Sequence, residues 1–98
     1  MERDDPLGII WYSRAAEQNY GPAQLRLAAM YKDGRGAPQD YEEAYFWLVL
    51  ATLAMIGEEN AEVDELHRGL LLLLSESRRA AVQDRALRWQ PKVPAPAP

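Results

Sequence analysis

Cysteine is absent from this 98-residue chain, which excludes a disulfide framework and thiolate metal sites. Histidine occurs once, at His67. A lone histidine without further strong ligands cannot make a zinc site. Basic charge is in the minority: 11 Lys and Arg stand against 15 Asp and Glu, a net charge of −4. A nucleic-acid binder needs a basic stripe to displace counterions from phosphate, so nucleic acid is not an expected partner. No run reaches the roughly 18 apolar residues that a membrane span requires. Met1–Asp5 (MERDD) is acidic and no apolar h-region of a leader follows it, so it does not read as a signal peptide. The compartment is left open by this; a cytoplasmic protein is the expectation only for a complete chain. With no Cys, one His and no Ser-centred constellation, the expectation is a protein without catalysis, cofactor or metal.

What the chain has is large apolar side chains in a repeating order. Three Trp, five Tyr and one Phe are heavy core payloads for a domain-sized chain that buries somewhat under about 70% of its unfolded surface. Trp11 recurs as Trp47, 36 residues on, and at that offset Asp4 meets Asp40, Gly8 meets Ala44 and Ala15 meets Ala51. A period of this length marks units that cannot bury their apolar face alone and so stack on their neighbours.

Helix punctuation agrees with the period. Asp5-Pro6 offers an N-cap and a Pro at the first helical position, where no donor is missed, and predicts a helix to about Gln18. Asn19-Tyr20-Gly21-Pro22 makes a turn, and a second helix runs to about Lys32. Gly34 is placed for a left-handed C-cap, with Gly36 and Pro38 continuing the loop. Asp40-Tyr41-Glu42-Glu43 is a capping-box pattern in which the Glu43 carboxylate reaches back to the Asp40 amide. The third helix, to about Ile56, carries Tyr41, Ala44, Leu48, Ala51 and Met55 on one face, with Phe46, Val49, Leu50 and Leu53 on the other. A helix apolar all round is buried on both sides, so this one is central and the later helices cover it. Gly57–Asn60 breaks it, and a fourth helix runs from about Ala61 to Leu74. Ser75 caps a fifth, to about Gln90. Whether the last two are separate or one bent rod stays open. Pro91–Pro98 (PKVPAPAP) reads as an extended, disordered tail.

Trp11–Trp47 (WYSRAAEQNYGPAQLRLAAMYKDGRGAPQDYEEAYFW) resembles the Sel1-like repeat, a relative of the tetratricopeptide repeat. That family's pattern is W-Y-x-K-A-A-E-Q-G, then A-x-A-Q-x-x-L-G-x-M-Y, then G-x-G-V-x-Q-D-Y-x-x-A-x-x-W. The resemblance covers Asp4 to about Ala54. The rest is similar to the ending of bacterial members, with a Leu-rich stretch, a Ser, an Ala-rich helix and a terminal W-x-P-K. It implies an all-α fold, a short right-handed α-solenoid of four or five helices in antiparallel pairs. It also implies a concave surface for protein partners, as in the family's adaptors and scaffolds. Repeat one is expected over about 4–39, with a degenerate second repeat and C-terminal cap over about 40–90. In this reading Ala15, Ala16 and Ala23 let helices approach, and Trp11, Tyr12, Leu27, Met30 and Tyr31 fill space between them. Gly34 and Gly36 permit the turn, while Tyr41, Ala44, Trp47 and Ala51 repeat the pattern. Departures are Ala28 where the family prefers Gly, Gly8 where it prefers Ala, and the small Ala29.

Sharper readings fall short. Lys32–Pro38 (KDGRGAP) lacks the strand and the G-K-[ST] of a phosphate loop. The acids Glu58, Glu59, Glu62, Asp64 and Glu65 lack the glycine and spacing of a calcium loop and suit a helix start. Arg78, Arg79, Arg85, Arg88 and Lys92 are expected to meet those acids, solvent or an acidic partner. P-K-V-P (Pro91–Pro94) resembles an SH3-type ligand core, but a linker suffices. The first helix has a wetter second face than its counterpart, Ile10, Ser13, Arg14 and Glu17, with Tyr20, Arg26 and Arg35 at the edges. That face is the expected protein-binding surface, or a self-association surface that makes the chain a homo-oligomer.

Overall fold

The computed structural model describes residues 5–92, and its regular structure is five helices: α1 (Asp5–Glu17), α2 (Gly21–Asp33), α3 (Tyr41–Ala54), α4 (Ala61–Leu73) and α5 (Glu76–Arg88). This is the expected short all-α repeat solenoid, with α1 to α4 packed in succession and α5 packed on α3. Asp4 and most of the expected tail, residues 93–98, lie outside the described residues.

The helix ends obey the local chemistry. α1 begins at Asp5 itself, which moves Pro6 one position inward from the expected one. It ends at Glu17, and the chain turns just beyond at Asn19, a left-handed residue (φ 67°), a conformation that Asn tolerates through its short polar side chain. Gly21 opens α2 under close approach: a Cβ there would lie 2.5 Å from Met55 Cγ and 3.3 Å from Ala54 Cβ. Gly34 ends α2 in the left-handed region (φ 71°, ψ 37°), its N–H donating to the Met30 carbonyl. Asp40 caps α3, its Oδ1 accepting from the Glu43 N–H at 3.0 Å. The other half of the expected capping box is replaced. The Asp40 N–H donates to the Tyr31 carbonyl at 2.9 Å, and the Glu43 carboxylate pairs instead with Arg85 at 3.0 Å.

α3 is central, as expected. Ala44, Tyr45, Phe46, Trp47, Leu48, Leu50 and Ala51 are buried around its whole circumference. α2, α4 and α5 each pack on it, and α4 also touches α2. Ala16, Ala23, Ala28, Ala44 and Ala51 are all buried, so the backbones come close where side chains are small. Leu27 and Met30 are buried between helices; Ala15, Tyr31 and Tyr41 are packed at the core edge. Burial raises the Tyr31 phenol above its usual pKa, and the Glu43 and Asp40 carboxylates push it the same way.

Three expectations are corrected or, where the sequence leaves them open, decided. Trp11 and Tyr12 do not fill interhelical space: they are 60% and 38% exposed. Their partner in the repeat shows why. Trp47 is covered by the edge of Trp89 from the end of α5 (ring centroids 6.1 Å apart), and no described residue covers Trp11 in that way. Next, α4 and α5 are separate helices. Leu74 is extended (ψ 136°) and the Ser75 hydroxyl caps α5 through the Arg78 N–H at 3.3 Å. Their cover over α3 is incomplete: Leu70 and Leu74 are buried, but Leu72, Leu73 and Leu87 are exposed. Last, the basic residues of α5 do not meet the acids of α4. Arg78 pairs with Glu42, and Arg85 with Glu43, its guanidinium carbon 3.9 Å above the Phe46 ring.

Candidate functional site

Because α4 and α5 sit on α3 separately, a groove of about 420 Å³ opens between them. α3 supplies the floor with Tyr45, Leu48, Val49, Thr52 and Leu53; α4 supplies Val63, Asp64 and His67, and α5 Gln83 and Leu87. Few polar groups on the floor are free. Tyr45 is buried, and its hydroxyl accepts from Gln83 Nε2 at 2.7 Å. Its ring lies 6.2 Å from that of His67, at an interplanar angle of 24°. The Thr52 hydroxyl donates back to the Leu48 carbonyl at 2.9 Å. The groove therefore has an apolar floor with an embedded tyrosine whose hydroxyl oxygen already accepts a hydrogen bond. Such concave apolar sites with a few polar markers are where binding sites concentrate.

The groove continues at both ends. Thr52, Val63 and Asp64 also border a smaller depression with Ile56, Glu58 and Asn60. Leu53 and Leu87 border another with Leu50, Ala54, Trp89 and Pro91. The first end is acidic. Among the described residues, Glu62 alone of the α4-side acids has an ion-pair partner, Arg26 at 3.9 Å. The helix start holds these acids well: the Asn60 side chain accepts from the Glu62 and Val63 N–H groups, and negative charge is favoured there.

A second, more polar groove on the other side of α5 is bordered by Glu17, Glu43, Phe46, Trp47, Arg85, Arg88, Trp89 and Lys92. Its charged groups are largely satisfied among themselves. Besides Glu43 and Arg85, Lys92 Nζ lies 3.4 Å from the Glu17 carboxylate and the Lys92 N–H donates to the Glu17 carbonyl at 2.6 Å.

The residues expected at the binding surface of α1 have different surroundings. Ile10 is 50% exposed. Arg14 is exposed and lies over the Trp11 ring, 5.6 Å from its centroid. Ser13 is half-buried, and Glu17 is drawn into its contact with Lys92. Ile10 and Arg14 instead join Leu7 and Trp11, all exposed, in one stripe at helical spacing. The α3–α4–α5 groove is the feature that sequence reasoning misses. Its one signal in the sequence is the apolar second face of α3, which reads as covered. Arg26 faces Glu62 of α4, and Tyr20 is exposed beside the first turn of α2. Among the described residues no three of His, Asp and Glu converge as metal ligands. No described helix is long and apolar enough to cross a membrane.

A family model of the Sel1 repeat matches residues 1–20 and 21–54. Over 41 residues the chain is 49% identical to Chitin synthase regulatory factor 3 of Schizosaccharomyces pombe, a match that covers 40% of this chain and 4% of that protein. The chain thus spans a small fraction of the length of the curated relative it matches. No solved structure matches it significantly.

Proposed function

The chain belongs to the Sel1 repeat family, and from that membership we propose that it works by holding a partner protein in the groove between α3, α4 and α5. Sel1 repeats are generally protein–protein interaction modules, and the family is non-catalytic. The observation that carries the reading is the groove itself: large apolar side chains, Leu53 and Leu87 among them, left exposed on a concave surface. We read the chain as the C-terminal end of a repeat scaffold. In support, the family match stops at residue 54, and α4 and α5 come after it without its motifs. The regulatory name of the matched relative is in keeping with a unit that acts by contact. The test is selection of a displayed random-peptide library on the purified chain. A peptide family that binds saturably, and shifts the amide resonances of Leu53 and Leu87, supports the reading. No enrichment over an unrelated helical protein overturns it.

A second reading, self-association through α1, is favoured by the exposed stripe of Leu7, Ile10 and Trp11. An apolar stripe of this kind marks an interaction surface more often than idle exposure. Sedimentation equilibrium at micromolar concentration decides it: a dimer that Trp11→Ser returns to monomer supports self-association, and a monomer throughout removes it.

A further inference from the structure

We infer that the groove takes a basic amphipathic segment of a partner protein, large apolar side chains on its floor and a Lys or Arg at the end bounded by Glu58 and Asp64. The inference rests on the protein-binding reading above and adds to it the chemistry of the ligand.

The charges decide the sign. α5 is the basic helix of the chain, yet its cations are engaged elsewhere: Arg78 with Glu42, Arg85 with Glu43 and Arg88 with Asp84 within the helix, while Arg79 Nε donates to the Leu74 carbonyl at 3.3 Å. None of these is turned to the acids of the α3–α4 loop and of α4. Glu58, Glu59 and Asp64 consequently have no ion pair among the described residues, in a chain whose net charge is −4. Asp64 borders both the main groove and the depression next to it, and Glu58 borders the latter. A cation carried by a segment lying over Val63 and Thr52 would meet both carboxylates.

The floor decides the rest. Its two hydroxyls are each engaged within the fold, Thr52 donating to the Leu48 carbonyl and Tyr45 accepting from Gln83, so it gives a polar ligand backbone few free groups to bond. Apolar anchors in such a desolvated pocket supply most of the affinity. Charges at the rim set partner choice, association rate and salt dependence.

The experiment uses the whole chain and a peptide selected on it. The peptide family is expected to carry Lys or Arg beside large apolar residues. Glu58→Gln with Asp64→Asn should weaken the selected peptide by about tenfold at low salt, and less at high salt, with the unfolding curve unchanged. Leu87→Ser, at a residue already 73% exposed, should abolish binding without unfolding the chain. Glu58→Lys with Asp64→Lys should favour a peptide whose basic residue is replaced by Glu, a reversal that mere destabilisation does not produce. If peptides bind but carry no basic residue, or bind the doubly neutralised variant (Glu58→Gln with Asp64→Asn) equally well, the charge inference fails while the protein-binding reading stands. If nothing binds, both fail. If a variant ending at residue 92 binds the peptide far more tightly, residues 93–98 are the natural occupant and the inference is overturned. It is overturned as well if Arg14→Glu abolishes self-association and the Lys variants restore it, because the ligand is then a second copy.

Discussion

Nε2 of Gln24 donates to the main-chain oxygen of Ala16 at 3.1 Å, joining the first turn of α2 to the last turn of α1 inside the core. The same amide lies 3.3 Å from Asn19 Oδ1, so one fully buried side chain secures the residue that turns the chain between the two helices. Its Oε1 has no hydrogen-bond partner among the described residues. A buried polar group with one end unmet is costly, and the bonds at the other end offset that cost.

Gln24→Glu is therefore expected to destabilise the fold by about 3–5 kcal/mol near neutral pH, because it sets an unpaired buried carboxylate against two acceptor oxygens. Burial and those acceptors raise the folded-state pKa of the new carboxyl above its unfolded value. The protonated form is thus favoured in the fold, and the loss should shrink as pH falls below the usual carboxylate range and grow as pH rises through the folded pKa. Urea unfolding of both proteins at a series of pH values checks it; a pH-independent difference would contradict the hydrogen-bond account.

Two glycines should respond to alanine with opposite sign. Gly8 lies inside α1, and its added Cβ would meet Tyr12 Cε2 at an ordinary 3.9 Å. Gly8→Ala should then stabilise by about 0.5–1 kcal/mol through helix propensity. Gly21→Ala should cost about 1–3 kcal/mol by overpacking against Met55. Midpoints of thermal unfolding rank the two against the parent chain, and a matching sign would show the α2–α3 approach to be looser than described.

Trp11 and Trp47 occupy the same position of the repeat at different depths, 60% and 7% exposed. Trp47→Ala should cost about 3–5 kcal/mol, whereas Trp11→Ala should stay within about 1 kcal/mol, mostly the loss of Arg14 over its ring. Denaturant titration of the monomeric chain measures both. Comparable losses would mean that α1 is covered in solution.

Tyr31 titrates above the ordinary tyrosine value of about 10. Its protonated form is favoured by the fold, so its contribution is whole below the unfolded pKa and disappears as pH rises through the folded one. Tyr31→Phe should remove that part of the alkaline loss of stability. Unfolding curves between neutral pH and about pH 11 would show it as a shallower decline in the variant, and identical slopes would reject it.

Much of the chain is legible because its signals are local. Asp40 and Ser75 each cap the helix that their position predicts, and Gly34 takes the left-handed turn expected of it. The all-round apolarity of α3 correctly places it at the centre. What escapes depends on geometry between elements. Glu43 has two available partners, its own helix start and Arg85, and only the docking of α5 chooses between them. Gln24 reads as one more polar residue in a helix until α1 and α2 are packed. The groove needs the angle at which α4 and α5 part, and Leu74-Ser75 announces a break without its angle.

That break has a mechanical meaning. α4 and α5 are like the two arms of a caliper, each seated on α3 and joined through a short extended link. The gap between the arms is set partly by contacts outside it, above all Glu42 with Arg78 and Glu43 with Arg85. Those pairs are at the surface, where each contributes little to stability and substitutions are readily accepted. A change there would alter how wide a side chain the gap admits while every residue facing the ligand stayed the same.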